Sequence, residues 1–145
     1  MENNNNETLS IGIDLGGTNT GIGLVDCNGK IIKKEIFPTY SSSPEEWRDK
    51  SWKTIEKFIK TIPSDKIKGI GIGAPCANAI TGTIEAATDL PWSSPIPVVK
   101  LFKEKTDLPV YITNDANAAA MGEKAYGSAK GLKNFIVLTL GTGVG

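Results

Sequence analysis

The 145-residue sequence contains no histidine and only two cysteines. Without histidine, a Ser-His-Asp or Cys-His catalytic site is excluded, so any acid–base chemistry must use carboxylates. Cys27 and Cys76 lack the spacing of metal ligands, and in a reducing compartment we predict that both are free thiols. The sequence therefore restricts an enzyme to chemistry that an aspartate or a glutamate can support.

The sequence also lacks net charge and long apolar runs. Sixteen basic residues balance sixteen acidic residues, so there is no electrostatic argument for binding nucleic acid or an anionic membrane. Apolar runs are too short to span a bilayer. The first ten residues are polar and have no apolar segment typical of a secretory signal, so the expected location is the cytoplasm.

The order of predicted strands and helices is typical of an α/β fold. Residues 1–8 form a polar, low-complexity lead that we expect to be disordered. Apolar periodicity and turn signals predict strands at residues 11–15, 22–27, 31–37, 68–74, 109–113 and 134–140, and helices at residues 44–62, 96–106 and 116–126. Hairpin-linked strands followed by crossover helices predict a mixed sheet covered by helices, with the strand at 68–74 buried on both faces.

The stretch IDLGGTNTG is the first chemical signal. A strand delivers Asp14, the chain turns at Gly16 and Gly17, and Thr18 and Asn19 begin the next strand. Glycine allows a tight turn and a close backbone approach to a ligand, and successive N–H groups there form a concave anion site. Asp14 could hold Mg²⁺ through water, since that ion keeps most of its waters.

Two interpretations of this glycine turn are open. A plain hairpin turn would need the same residues, and short glycine motifs have many false positives. A second strand that runs into a Gly-Thr-Gly turn lies at residues 141–143. Two such turns at opposite ends of the chain favour a ligand that is held from both sides.

The stretch VYITNDANAAAMGE places polar side chains where a strand passes into a helix. Asn114 and Asp115 suit helix capping, because an amide can accept from the first N–H groups and a carboxylate favours the helix dipole. Both also lie at the carboxyl end of a parallel strand, where open α/β sheets bind ligands. There a carboxylate can accept a proton from a hydroxyl, and an amide can bind neighbouring hydroxyls of a sugar. Capping and sugar binding both stay open.

Four stretches together resemble the ROK family of sugar kinases and repressors, which includes many bacterial glucokinases. They are IDLGGTNTG, GIGIGAP with TGTIEAATDLPW, LPVYITNDANAAAMGEKAYG and FIVLTLGTGVG, in the family's order. The resemblance implies an actin-like ATPase (ribonuclease H-like) α/β lobe: a five-stranded mixed sheet with three N-terminal antiparallel strands and helices on both faces. It also implies ATP- and Mg²⁺-dependent phosphoryl transfer to the 6-hydroxyl of a hexose, with glucose as the first candidate.

The resemblance assigns roles residue by residue. Asp115 matches the catalytic base, and Asn114 matches a residue that binds the ring hydroxyls of the sugar. Further sugar contacts would come from Ala77, Asn78 and Thr88. The phosphates of ATP would contact two turns, which comprise Asp14, Gly16, Gly17, Thr18, Asn19, Gly141, Thr142 and Gly143, with Asp14 as the water-mediated Mg²⁺ site.

Three positions depart from the family pattern. Asn19 replaces a usual lysine, Cys76 replaces a frequent glycine, and Asp89 replaces a favoured asparagine. Cys76 lies in the loop at 74–78 and Asp89 follows Thr88, and the resemblance places sugar contacts in that loop and at Thr88. They leave fructose, mannose, N-acetylglucosamine and N-acetylmannosamine open beside glucose.

The resemblance also implies a division of the chain. Residues 9–133 would form the N-terminal lobe, and residues 134–145 would form the first strand and phosphate turn of a second lobe. The family's Glu-Gly-His sugar motif, its zinc-binding cysteines and its nucleotide lobe follow that turn, so structural zinc is expected only there. We expect this chain alone to be inactive and the complete protein to be a homo-oligomer that binds sugar and ATP.

Two other functions are weighed against the kinase. A repressor of this family resembles the kinases but carries a helix-turn-helix domain before the first phosphate motif, and only about ten polar residues precede it here, too few for one. A non-catalytic sugar-binding protein or an actin-like ATPase is the other alternative. An ATPase has no need of the Asn114–Asp115 pair, so the sequence favours a sugar kinase.

Overall fold

A five-stranded mixed sheet organises the chain in a computed structural model that describes residues 8–86 and 89–140. Along the chain the elements are β1 (Leu9–Leu15), β2 (Asn19–Asp26), β3 (Ile31–Pro38), α1 (Pro44–Ile59), β4 (Ile67–Ala74), β5 (Ala77–Asn78), β6 (Thr83–Ile84), α2 (Val98–Lys103), β7 (Val110–Asn114) and α3 (Asp115–Tyr126). The sheet order is β3-β2-β1-β4-β7. β1 is antiparallel to β2 and β2 to β3, whereas β4 is parallel to β1 and to β7. The predicted sheet is thus confirmed.

The first helix begins where the sequence predicts. The hydroxyl of Ser43 accepts a hydrogen bond from the backbone N–H of Glu46 at 3.1 Å, and Pro44 occupies the first turn. The Glu46 carboxylate accepts from the backbone N–H of Ser42 at 2.7 Å, so the reciprocal bond of the capping box reaches one residue further back. These bonds satisfy N–H groups that a helix leaves without partners, which fixes the start of α1.

The second helix is shorter than predicted. Residues 96–106 show helical spacing, but α2 runs only from Val98 to Lys103. Ile96 instead exchanges backbone hydrogen bonds with Ile84, which extends the small β5–β6 hairpin. Pro97 then precedes the helix. The sequence predicts a loop at residues 75–82, which contains β5, and a short extended piece from residue 83, where β6 lies; strands of two residues are too short for a hairpin to be predicted.

The hydrophobic core lies on one face of the sheet, under α1 and α2. Alternate residues of β1, among them Ile11, Ile13 and Leu15, point into it and are almost fully buried. Trp47 of α1 and Phe102 of α2 are buried against each other with ring centroids 5.7 Å apart. Burial of such side chains is the main stabilising contribution to this lobe.

The opposite face of the sheet is rich in glycine and only partly covered. The prediction that the strand at 68–74 is buried on both faces was wrong, because Lys68 and Gly71 are exposed. α3 covers this face at the carboxyl end of the sheet, where a Cβ atom on Gly73 would lie 3.1 Å from the Cβ atom of Ala118. Helices therefore lie on both faces, but α3 protects a smaller area than α1 and α2.

The predicted strand at residues 134–140 does not join the sheet. Residues 135–139 have no strand assignment, and the side chains of Ile136, Leu138 and Leu140 are 89%, 71% and 79% exposed. Within residues 8–86 and 89–140, the five-stranded sheet does not include this segment, in which Leu140 alone is assigned to a bridge. The division of the chain at residue 134 stays a prediction.

Removing residues 134–145 is expected to leave the sheet and its core folded and to improve solubility. Burying a large apolar side chain is worth about 1.5–3 kcal/mol, so several exposed ones favour association. Circular dichroism, light scattering and hydrogen exchange on both chain lengths would measure this. Amides of residues 134–140 should also exchange faster than those of β4. A shortened chain that unfolds would show that the segment belongs to the core of this lobe.

Within residues 8–86 and 89–140, no helix is both long and apolar enough to cross a membrane. Cys27 and Cys76 are free and exposed, as predicted. The residues predicted as a disordered lead, as well as Thr88, Gly141, Thr142 and Gly143, lie outside the described residues, apart from Thr8.

Candidate active site

The carboxyl ends of three parallel strands meet at one edge of the sheet. Asp14 at the end of β1 is paired with Gly73 of β4, and Gly73 is paired with Thr113 of β7. Strands lie about 4.8 Å apart, so the backbones of Asp14 and Thr113 are about 10 Å apart. Asn114 and Asp115 follow directly at the same edge. The structure thus gathers the predicted base and the predicted metal residue on one side of the lobe.

Thr39 stabilises the glycine turn between β1 and β2 through two hydrogen bonds. The backbone N–H of Gly16 donates to the carbonyl of Asn19 at 3.0 Å, which closes the turn. The backbone N–H of Thr39 donates to the carbonyl of Thr18 at 2.9 Å, and its hydroxyl donates to the carbonyl of Gly16 at 2.7 Å. Gly17 lies at the exposed tip of this turn. These hydrogen bonds therefore fix the backbone conformation of the turn.

Gly17 is required by a close backbone approach. A Cβ atom at this position would lie 2.7 Å from the carbonyl oxygen of Asp89, closer than a real Cβ contact allows. The segment that begins at Asp89 therefore rests directly on the turn. Two regions to which the sequence assigns different ligands, the phosphate turn and the sugar-side loop, are in contact.

Gly17→Ala is expected to destabilise the chain by about 1–3 kcal/mol, the usual cost of forcing an extra carbon into a packed contact. The strained partner is backbone, which cannot rotate away as a side chain could. Urea denaturation would measure the change. Gly12→Ala is a matched control on β1, because a Cβ atom there would meet nothing within 4 Å. Equal stabilities of the two variants would contradict the close contact.

Asn114 caps α3, so the capping interpretation is confirmed for this residue. Its side-chain oxygen accepts from the N–H groups of Ala116 at 3.0 Å and Asn117 at 3.4 Å. One carboxylate oxygen of Asp115 also accepts from Ala116, at 2.8 Å. Within the described part of the chain, the amide nitrogen of Asn114 and the second carboxylate oxygen of Asp115 have no hydrogen-bond partner. Capping therefore leaves a donor and an acceptor for a ligand.

The hairpin that carries the predicted sugar contacts lies beside β7. β5 contains Ala77 and Asn78 and packs near that strand. The Asn78 side chain, however, accepts from the N–H of Ile80 at 2.9 Å and donates to Glu85 at 2.8 Å, so it stabilises its own turn. Cys76 before it has a φ of 50°, a conformation that favours glycine, which is the residue that the resemblance to the ROK family implies at this position.

The site suits a hydrated magnesium ion better than a protein-enclosed metal. Asp14 is exposed at the edge beside the turn. Among the described residues, no three histidine, cysteine, aspartate or glutamate side chains cluster as metal ligands. Mg²⁺ commonly keeps its waters and binds one carboxylate together with phosphates. One carboxylate next to a glycine turn that the sequence predicts to bind phosphate fits that donor set.

Comparison with known proteins identifies the fold and its family. The sheet order and the helix on each face define an α/β lobe of the actin-like ATPase kind. Residues 10–145 match the model of the ROK family, and the chain belongs to this family. The resemblance that the four sequence stretches indicated is confirmed, and the chain is similar to glucokinases of this family.

Similar proteins include both kinases and a repressor. The glucokinase of Thermotoga maritima is 33% identical over 136 residues, which are 93% of this chain and 42% of that protein. The xylose repressor of Bacillus spizizenii is 36% identical over 138 residues, covering 94% of this chain and 36% of that protein. A ROK glucokinase from Streptomyces griseus, solved with glucose and AMPPNP, superposes with a TM-score of 0.81 at 32% identity, over 94% of this chain and 43% of that chain. The chain spans less than half the length of each.

Proposed function

We propose that this chain is the sugar-binding lobe of an ATP-dependent hexose kinase, with glucose as the first candidate substrate. The observation that carries the proposal is the position of Asn114 and Asp115 at the carboxyl end of β7. They share one sheet edge with Asp14 and with the turn that contains Gly17. The complex of the Streptomyces griseus glucokinase with glucose and an ATP analogue supports both ligands.

The proposed chemistry uses few protein groups. Asp115 accepts the proton of the sugar's 6-hydroxyl through its second carboxylate oxygen, while the amide of Asn114 donates to a neighbouring hydroxyl. The oxygen so activated forms a bond to the γ-phosphorus as the bond to ADP breaks. The N–H of Gly17 at the tip of the turn would bind a phosphate oxygen, and Asp14 would hold hydrated Mg²⁺, which would neutralise phosphate charge when bound.

The identity of the sugar is the finer part of the proposal. Relatives at about the same identity as the glucokinases include a putative fructokinase at 36% and a xylose repressor at 36%. Ala77, Asn78 and Thr88 would contact the sugar, and Cys76 and Asp89 lie in or near those segments. Because Asn78 is engaged in its own turn, its role would be to shape the pocket through backbone contacts.

The rest of the complete kinase would correspond to the part of its relatives that follows the matched region. A second lobe would begin at residue 134 of this chain and continue in that further part, where it would hold the adenosine of ATP. Gly141, Thr142 and Gly143 would supply the second phosphate turn. A structural zinc site, assembly into a homo-oligomer and a cytoplasmic location complete the proposal for the whole protein.

An activity assay on a chimeric kinase tests the proposal. Residues 1–145 would be fused to the part of the Thermotoga maritima glucokinase that follows its matching region, and ADP release would be measured with a panel of sugars. We expect sugar-dependent turnover with at least one hexose and none with xylose, which lacks the 6-hydroxyl. A folded fusion that binds sugars but never releases ADP would favour a regulatory protein instead.

A further inference from the structure

A buried chain of hydrogen bonds connects α1 to the glycine turn. The indole N–H of Trp47 donates to the hydroxyl of Thr20 at 3.0 Å. The hydroxyls of Thr20 and Thr39 lie 2.9 Å apart, and the Thr39 hydroxyl lies 2.7 Å from the carbonyl of Gly16. Trp47, Thr20 and Thr39 each have 0% relative exposure. Polar groups buried this deeply are retained where their hydrogen bonds are satisfied.

The chemistry of the two end groups fixes which atom donates and which accepts in every hydrogen bond of this series. An indole N–H only donates and a backbone carbonyl only accepts, whereas each hydroxyl has one proton to give. Thr39 gives its proton to Gly16, so it must accept from Thr20. Thr20 in turn accepts from Trp47. Donors therefore point in one sequence from the helix to the turn, and each bond polarises the next.

This direction determines how the turn presents its N–H groups. In a trans peptide the carbonyl and the following N–H point to opposite sides. Because Thr39 holds the carbonyl of Gly16 toward the core, the N–H of Gly17 points away from the core, to the exposed side of the turn. The backbone N–H of Thr39 holds the carbonyl of Thr18 on the same inner side. Both carbonyls, which would repel an anion, are thereby turned inward.

We propose that Thr39 is a positioning residue of the phosphate site, which aims the N–H of Gly17 at a bound phosphate through its hydroxyl bond to Gly16. Thr20 and Trp47 hold the Thr39 hydroxyl in the orientation that this needs. The inference rests on the proposed function, since it requires the turn to bind phosphate. It adds a residue that lies outside all four sequence stretches typical of the family.

The test uses the whole chain with isotope-labelled backbone amides and two probes, inorganic triphosphate and Mg-ATP. Wild-type protein is compared with Thr39→Val, which removes the hydroxyl, and Thr39→Ser, which keeps it. Thr54→Val is the matched control, because Thr54 is also buried but its hydroxyl donates to the carboxylate of Glu35 and not to the glycine turn. The amide resonance of Gly17 is followed during titration, and thermal unfolding checks that each variant is folded.

We expect triphosphate to shift the Gly17 resonance in wild type, Thr39→Ser and Thr54→Val with similar affinity. Thr39→Val should weaken binding about five- to tenfold, the equivalent of one hydrogen bond, and should change the Gly17 resonance before any ligand is added. If Thr39→Val does not fold, Thr39→Ala, which only removes atoms, carries the same comparison with Thr39→Ser.

Three outcomes would overturn the inference in different ways. Equal affinity of Thr39→Val (or Thr39→Ala) and wild type, with the Gly17 resonance shifting in both, would show that the turn binds phosphate without help from Thr39. No shift of Gly17 with either probe in wild type would remove the phosphate role of the turn itself, and the proposed function with it. A loss in Thr39→Ser equal to that in Thr39→Val would show that the methyl group matters and the hydroxyl does not.

Discussion

Asp115→Asn is expected to lower kcat by about 10² to 10⁴, the usual contribution of a positioned general base. The substitution keeps the shape of the side chain and its ability to accept from the N–H of Ala116, so α3 should begin at the same residue. It removes the group that accepts the proton from the sugar hydroxyl. The measurement is steady-state kinetics on the fusion that contains this lobe and the C-terminal part of a related glucokinase.

Substrate affinity distinguishes loss of the base from loss of the site. Sugar binding should change little in Asp115→Asn, because an amide still offers hydrogen bonds to hydroxyls. Asp107→Asn is the matched control: Asp107 is exposed before β7 and should leave kcat unchanged. A kcat for Asp115→Asn within a few fold of the unsubstituted fusion would remove Asp115 from the role of base.

The chain by itself is expected to transfer no phosphoryl group, and this is the second large effect. The turn at Gly16–Gly17 and the edge at Asn114–Asp115 lie open on one lobe, and Asp14 is exposed. Phosphoryl transfer depends mainly on positioning and on charge stabilisation in a site that excludes water. An open, one-sided site supplies neither well, so both ATP and sugar should also bind weakly.

Calorimetry with Mg-ATP and a coupled assay for ADP release would measure this on residues 1–145. We expect a dissociation constant in the millimolar range and no sugar-dependent ADP. Micromolar binding of Mg-ATP would contradict the argument, since it would mean that one lobe alone forms a complete nucleotide site. Sugar-dependent ADP release by the fusion with the C-terminal part of the related glucokinase, together with its absence in residues 1–145 alone, would support the argument.

The central part of the fold could be predicted from local signals. Alternation of Ile11, Ile13 and Leu15 reports the buried face of β1, and the Asn28-Gly29 turn joins β2 to β3. Ser43 and Pro44 mark the start of α1 because capping depends on neighbouring residues. Such features need no knowledge of distant contacts, which explains why they were predicted correctly.

Features set by distant contacts were missed. The β5–β6 hairpin has strands of two residues, too short for any alternation to appear. The sequence predicts that both faces of β4 are buried, but its glycine-rich face is partly exposed. A run of small apolar residues has the same sequence pattern whether or not another element covers it. The segment at 134–140, predicted as the first strand of a second lobe, has strong local signals but no strand assignment at residues 135–139.

The candidate site shows the same division. Its motif residues Asp14, Gly17, Asn114 and Asp115 could be found from the sequence because each stands where a strand ends. Thr39 could not, because only the folded chain brings it under the turn. The contact between Gly17 and Asp89, which links two motifs separated by about half the chain, likewise arises from tertiary structure.

The central claim is that the edge at Asn114 and Asp115 binds a hexose. Titration of the isotope-labelled chain with glucose, fructose, mannose, N-acetylglucosamine and N-acetylmannosamine, followed through the side-chain amide of Asn114 and the backbone amide of Asp115, tests it most directly. The account predicts that at least one of these hexoses shifts both resonances at millimolar concentration, and that Asn114→Asp weakens the response. If no hexose perturbs either residue while the protein remains folded, the claim is contradicted.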